Sequence, residues 1–180
     1  ALEPYASRFI LIRRDNKAPQ YTGAYSQLVK DIYLNAENAA KIKELAGPWN
    51  IKFDQELAGP GLVTFDKLQD WSTRSEEGIK HYSGTAQYSK SFSITKQQIN
   101  ADKAIYLDLG EVQQIAEVSL NGKKLGTLWK PPFALNISKT IKVGRNELEV
   151  KITNTWVNRL IGDEALPDTS GYKMTGKTVP

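Results

Sequence analysis

GTAQYSKSFSI, residues 84–94, is the stretch that sets the fold class. Ala86, Tyr88, Phe92 and Ile94 are apolar and alternate with Gln87, Ser89, Ser91 and Ser93, the period of a β-strand with one buried and one wetted face. Lys90 interrupts the apolar row. The same alternation returns in IAEVSL, residues 115–120, where Ala116, Val118 and Leu120 alternate with Glu117 and Ser119. It returns again in NELEVKITN, residues 146–154, through Leu148, Val150 and Ile152. Asn121-Gly122 follows Leu120 directly, and this pair accepts positive φ at both central positions of a type I′ turn. The centre of the chain is therefore antiparallel β joined by tight turns.

On the N-terminal side of this centre, Trp49, Ile51 and Phe53 share one face of an earlier strand, WNIKFD. LVTF (62–65), KAIYLDL (103–109), KKLGTLW (123–129) and either FALNIS (133–138) or KTIKV (139–143) bring the count to about eight strands, the number of a jelly roll. DKLQDW (66–71) reads as a helical turn or loop that carries Trp71 inward. STRSEEGIKHYSG (72–84) is polar and is expected to be a long surface loop. Upstream, Phe9 to Ile12 form a short β-prone run. DNKAPQYTGAYSQ is rich in turn residues, and NAENAAKIKELAG suits a short helix capped by Asn35 or Asn38 and stopped at Gly47-Pro48. The tail from Ala165 shows no clear strand. The resulting division is an N-terminal extension made of a strand at 1–14 and a linker with a short helix at 15–45, then the sandwich at 46–167 and a tail at 168–180.

Composition narrows the function classes. A hydrophobic fraction of 40% with 24% charged residues is that of a folded globular chain. No apolar run approaches the roughly 18 residues of a membrane span, so no span is expected. The absence of cysteine removes disulfides, thiolate metal sites and cysteine nucleophiles, and suits an oxidising or a reducing compartment equally. No charged, apolar leader precedes Ala1, which favours a start that is not the native one. The net charge is +4, but the bases are interleaved with acids along the chain, as in Lys142, Arg145, Glu147 and Glu149. A nucleic-acid surface would gather them and intersperse stacking aromatics, so no nucleic-acid partner is expected.

Catalytic groups are hard to find. A glycosidase needs two carboxylates roughly 5 to 9.5 Å apart. Asp66, Asp70, Glu76, Glu77, Glu111, Asp163 and Glu164 are the candidates, most of them in polar segments that favour surface or bracing roles. His81 is the only histidine and stands beside no GxSxG elbow, so histidine-based metal or nucleophilic sites are not expected. Aromatic side chains carry more promise, because an indole face stacks on the C–H face of a sugar while neighbouring polar groups fix its hydroxyls. Trp71 with Asp70, Trp129 before Lys130-Pro131-Pro132-Phe133, and Trp156 with Asn158, Arg159 and Asp163 are the candidate carbohydrate contacts, with core or interface packing as the alternative. Trp49 reads as core. Arg159 and Asp163, four residues apart, serve equally as a local brace.

Taken together, SGTAQY, YLDLGEV, VSLNGKKLGTLWKPPF, GRNELEVKITNTW and NRLIGDE resemble the jelly-roll module called the sugar-binding domain in glycoside hydrolases. With GPWNIKFD and LQDW, the last motif is most similar to the carboxy-terminal region of the family 106 enzymes, the bacterial α-L-rhamnosidases, and of related family 2-like proteins. The resemblance spans about residues 46–167. It implies an all-β, galactose-binding-domain-like β-sandwich that is a non-catalytic accessory module, packed on a separate (β/α)8 barrel that carries the catalytic acids. It further implies a periplasmic or secreted bacterial parent acting on an oligo- or polysaccharide. No cofactor is expected, and a structural calcium stays open by analogy of fold. An autonomous carbohydrate-binding module and a purely structural domain are the alternatives.

Overall fold

The computed structural model describes residues 41–99 and 103–166. The chain divides into two compact units, Ala1–Ala39 and Ala40–Pro180, and every described residue belongs to the second. The strand expected at 1–14, most of the linker at 15–45 and the tail at 168–180 lie outside the described residues. Residues 41–46, the end of the expected short helix, carry no regular secondary structure.

Eight strands appear among the described residues: β1 (Trp49–Phe53), β2 (Leu62–Phe65), β3 (Thr85–Ile94), β4 (Tyr106–Asp108), β5 (Ile115–Leu120), β6 (Lys123–Leu128), β7 (Ala134–Asn136) and β8 (Gly144–Thr153). Two short helices join them, α1 (Glu77–Lys80) and α2 (Val157–Glu164). Six strands form one antiparallel sheet in the order β2-β1-β3-β8-β5-β6, and β4 pairs with β7 in a second. FALNIS thus supplies the seventh strand, while residues 138–140 form a turn and none of 139–143 is strand. The expected all-β sandwich is present.

The phase of the larger sheet follows the alternation read in the sequence. Ten consecutive pairs join β3 to β8, from Thr85 opposite Thr153 to Ile94 opposite Gly144. Ala86, Tyr88, Phe92 and Ile94 then share the inner face with Leu148, Val150, Ala116, Val118 and Leu120, all buried, and they form one core with Ile105, Leu107, Leu135 and Ile137 around the smaller sheet. Lys90 sits in this apolar row yet has an outlet. Its Nζ lies 5.1 Å from the centre of the Trp49 ring and donates to the Pro48 carbonyl at 2.8 Å, so its stem covers the core edge while its charge is held on an aromatic face.

A buried asparagine secures the far ends of the strands. Asn146 is fully buried, and its amide donates to the Lys142 and Gly144 carbonyls while its oxygen accepts from Lys142 N and Asn121 Nδ2. Asn121 and Gly122 take φ of 52° and 77°, the positive values of the expected turn. The β5–β6 turn and the turn into β8 are therefore tied together by one amide pair. Asn146→Ala strands several buried donors and acceptors at once, and is expected to lower stability by about 3 kcal/mol. Urea unfolding should show it as a fall in midpoint with an unchanged slope.

Candidate functional site

Strand register brings the segments carrying Trp129, Trp156, Asn158, Arg159 and Asp163 to one end of the sandwich, whereas Asp70 and Trp71 follow β2 from the opposite end. Phe53 lies opposite Ala86, Thr85 opposite Thr153, Thr153 opposite Ile115, and Ala116 opposite Leu128. The segments 54–61, 82–84, 109–114, 129–133 and 154–166 leave those strands at that same end.

Trp71 opens a 3₁₀ turn (Trp71–Thr73) whose start is capped by Asp70, the Asp70 Oδ1 accepting from Ser72 N and Ser72 Oγ at 2.8 Å each. The turn drives the indole inward. Trp71 is only 6% exposed, packs edge-on against Phe53 at 5.3 Å and Tyr82 at 5.6 Å, and donates from Nε1 to Tyr88 Oη at 2.6 Å. The indole therefore has no free face, which is the inward turn read from DKLQDW and the core packing set against sugar contact, while the exposed Asp70 caps the turn through Oδ1. The polar stretch 72–84 differs from the expected surface loop. Ile79 and Tyr82 are each 1% exposed: α1 turns Ile79 inward, and Tyr82, just past its end, follows through a turn in which its N–H donates to the Ile79 carbonyl at 3.0 Å. Tyr82 Oη accepts from Asp54 N and donates to the Thr85 carbonyl.

Asn154 ties this buried segment to the chain leaving β8. Its side chain accepts from Gly84 N at 2.8 Å and donates to the Tyr82 carbonyl at 2.9 Å. Helix α2 then docks through its polar side. Arg159 N donates to Ser83 Oγ at 3.0 Å. Gly162 lies so close to His81 that an added Cβ would come within 2.7 Å of that side chain. Arg159 Nε stands 3.2 Å from Asp163 Oδ1 in an ion pair without hydrogen-bond alignment, and both side chains are largely buried. Arg159 and Asp163 are thus a local brace facing the domain. Asn158 is half-buried on the same helix. Trp129 and Trp156, by contrast, are 52% and 60% exposed.

The remaining acids are braced locally or lie on the surface. Glu76 pairs with Arg74, whose guanidinium holds the carboxyl below the usual range, and Glu77 meets His81 Nδ1 at 3.0 Å. Asp66 is exposed. Glu111, with Asp108, Gly110, Val112, Pro131, Pro132 and Phe133, lines an open cleft of about 410 Å³, all seven falling within the YLDLGEV and VSLNGKKLGTLWKPPF motifs. Its parts come from loops 20 residues apart, which the β4–β7 pairing brings together. Among the described residues, no three His, Asp or Glu side chains are gathered to hold a metal ion. No described helix is long and apolar enough to cross a membrane.

A family model described as the glycosyl hydrolase 2 galactose-binding domain-like domain matches residues 61–178. The chain belongs to that family. The module is 52% identical over 139 residues to a protein of Formosa agariphila named "Putative beta-glucuronidase". That alignment covers 76% of this chain and 12% of the relative, so the module spans only a small part of the curated protein it matches. Among solved structures, a rhamnosidase from Novosphingobium sp. PP1Y superposes with a TM-score of 0.64 at 36% identity, over 72% of this chain and 12% of that one. A β-glucuronidase from Ruminococcus gnavus shares the fold, with a TM-score of 0.51 at 22% identity over 62% of this chain and 20% of its own.

The two classes of tryptophan give opposite mutational signatures. Trp71→Ala should cost about 3 to 5 kcal/mol by emptying a packed aromatic cluster, whereas Trp129→Ala should stay within about 0.5 kcal/mol; thermal or urea unfolding distinguishes them. Stability should also fall in alkali. Burial pushes the Tyr88 hydroxyl up to about 12, outweighing the hydrogen bond from Trp71. An unfolded tyrosine titrates near 10. Between these values the unfolded chain binds fewer protons, so the stabilisation is complete below pH ~10 and is lost as pH rises towards 12. Unfolding midpoints measured across that window should decline, and the part due to Tyr88 should vanish in Tyr88→Phe.

Proposed function

We infer that the module is the non-catalytic accessory β-sandwich of a larger glycoside hydrolase, whose catalytic acids lie on a separate domain. The observation that carries this reading is the pairing of 52% identity over 139 residues with coverage of 12% of the relative. A sandwich so closely kept, and so small a fraction of its relative, is a part of an enzyme. The placement of the acids supports the same reading, since Asp70, Glu76, Glu77 and Asp163 are each engaged by a neighbouring group in the fold.

Carbohydrate contact on this reading falls to Trp129, a half-exposed indole two residues before Pro131–Phe133, which line the open cleft together with Asp108 and Glu111. Indole and carboxylates are the groups that stack on the C–H face of a sugar and meet its hydroxyls. The names of the similar proteins make rhamnose- and glucuronate-containing glycans the first substrates to test for the parent. A periplasmic or secreted location belongs to the same proposal. Polymeric glycans are met outside the cytoplasm, and a chain without cysteine is indifferent to oxidising conditions there.

The native polypeptide detected in source cells through the peptide TNTWVNRLIGDE should be several times heavier than the 20.1 kDa of this chain. Purified, it should hydrolyse aryl α-L-rhamnosides or β-D-glucuronides, while residues 1–180 alone should not. A native species of 20.1 kDa that binds soluble glycan through Trp129 would instead establish an autonomous carbohydrate-binding module.

A further inference from the structure

Helix α2 is amphipathic in the reverse sense. Its Arg159, Gly162 and Asp163 side faces the sandwich, while Val157, Leu160 and Ile161 are 55%, 61% and 58% exposed. These three, with Glu164, line an open groove of about 420 Å³. A surface helix of a free-standing domain turns its apolar stripe to the core. Here the opposite orientation is fixed by the Ser83 bond to Arg159 N, the Asn154 ties to Tyr82 and Gly84, and the close fit of Gly162 on His81. The helix cannot roll its apolar side inward without breaking them.

The apolar surface extends beyond the helix. Trp156 precedes it and is 60% exposed, and Leu166 follows it, also exposed. Trp156, Val157, Leu160, Ile161 and Leu166 thus form an exposed apolar run within eleven residues. A grouped apolar surface of this kind on a soluble domain marks an interface.

We propose that this surface is the seat of another domain of the same polypeptide, which lays an apolar face on Val157, Leu160 and Ile161. The inference rests on the reading of the module as part of a longer enzyme. Two observations select this occupant over a second copy. Most of the relative's length lies outside the region matched here, so a covalently attached partner is at hand. And α2 is eight residues and about 12 Å long with a helix width of about 10 Å, so its face offers on the order of 100 to 200 Å², far short of the roughly 800 Å² per partner that a stable dimer requires. A domain tethered in the same chain meets the surface at millimolar effective concentration and needs no such area.

Hydroxyl-radical footprinting of the full-length native enzyme tests this with matched residues in the same molecule. Leu160 should label several-fold less than Leu62, and Val157 several-fold less than Val143, although their exposures in the module are nearly equal at 61% against 72% and 55% against 56%. Equal labelling within each pair would overturn the proposal. p-Benzoylphenylalanine in place of Leu160 identifies the occupant on irradiation. Crosslinks within one polypeptide to residues outside this chain are the expected result. Crosslinks between two polypeptides, or confined to residues 1–180, would refute it. The reading as part of an enzyme fails separately, if the native polypeptide weighs no more than 20.1 kDa.

Discussion

The ten-pair ladder between β3 and β8 is the constraint on which the other elements depend. These two strands are the centre of the six-stranded sheet, and each has a further neighbour, β1 beside β3 and β5 beside β8. A slip of one residue would turn Ala86, Tyr88, Phe92 and Ile94 to solvent and bring Gln87, Ser89 and Ser91 into the core. The register is held from both ends. At one end Asn146 locks the turn into β8, and at the other Thr85 Oγ1 and Thr153 Oγ1 lie 2.7 Å apart, with Asn154 bonded to Gly84 just beyond. Between them, Ser91 donates to Glu147 across the same pair of strands.

Given that register, the chemistry of the two ends diverges. The end at Asn146 is closed by directional bonds among Asn121, Asn146 and the 140–144 backbone, and it serves the fold. The opposite end holds the cluster of Phe53, Trp71 and Tyr82, whose rings meet edge to face at 5.0 to 5.6 Å. Tyr82 links this cluster outward, since its carbonyl receives Asn154 and its neighbour Ser83 receives the first turn of α2. The rigid aromatic base thereby sets the pose of a helix that contributes almost nothing apolar to the core.

Much of the architecture was legible because a strand with one buried face writes its period into the sequence. The inward apolar residues of β1, β3, β5 and β8 were readable that way, as was the Asn121-Gly122 turn. What escaped reading lacks a local signature. Ile79 and Tyr82 are two apolar residues in a polar run of thirteen, too few to show a period. The inward turn of Trp71 was legible in DKLQDW, but its hydrogen-bond partner Tyr88, 17 residues away, was not. Asn146 resembles an ordinary turn residue until Asn121, 25 positions earlier, is brought beside it. The cleft at Asp108 to Phe133 likewise exists only once β4 pairs with β7.

Helix α2 shows how a polar interface fixes direction where an apolar one would not. Burying the Arg159–Asp163 pair costs desolvation that the ion pair repays only in part, so the pair is a poor source of stability. Apolar packing is tolerant of rotation, whereas the Ser83 bond to Arg159 N and the close approach of Gly162 to His81 are directional, and the Asn154 bonds fix the chain that leads into the helix. The module thus gives up hydrophobic burial of Val157, Leu160 and Ile161, worth about 25 cal/mol for each Å² left in water, to hold those side chains outward in one defined pose. A domain complete in itself has no use for that exchange. One that is a part of a larger enzyme recovers the lost burial at its contact with the next domain, and the polar anchors beneath the helix then determine the angle at which the two meet.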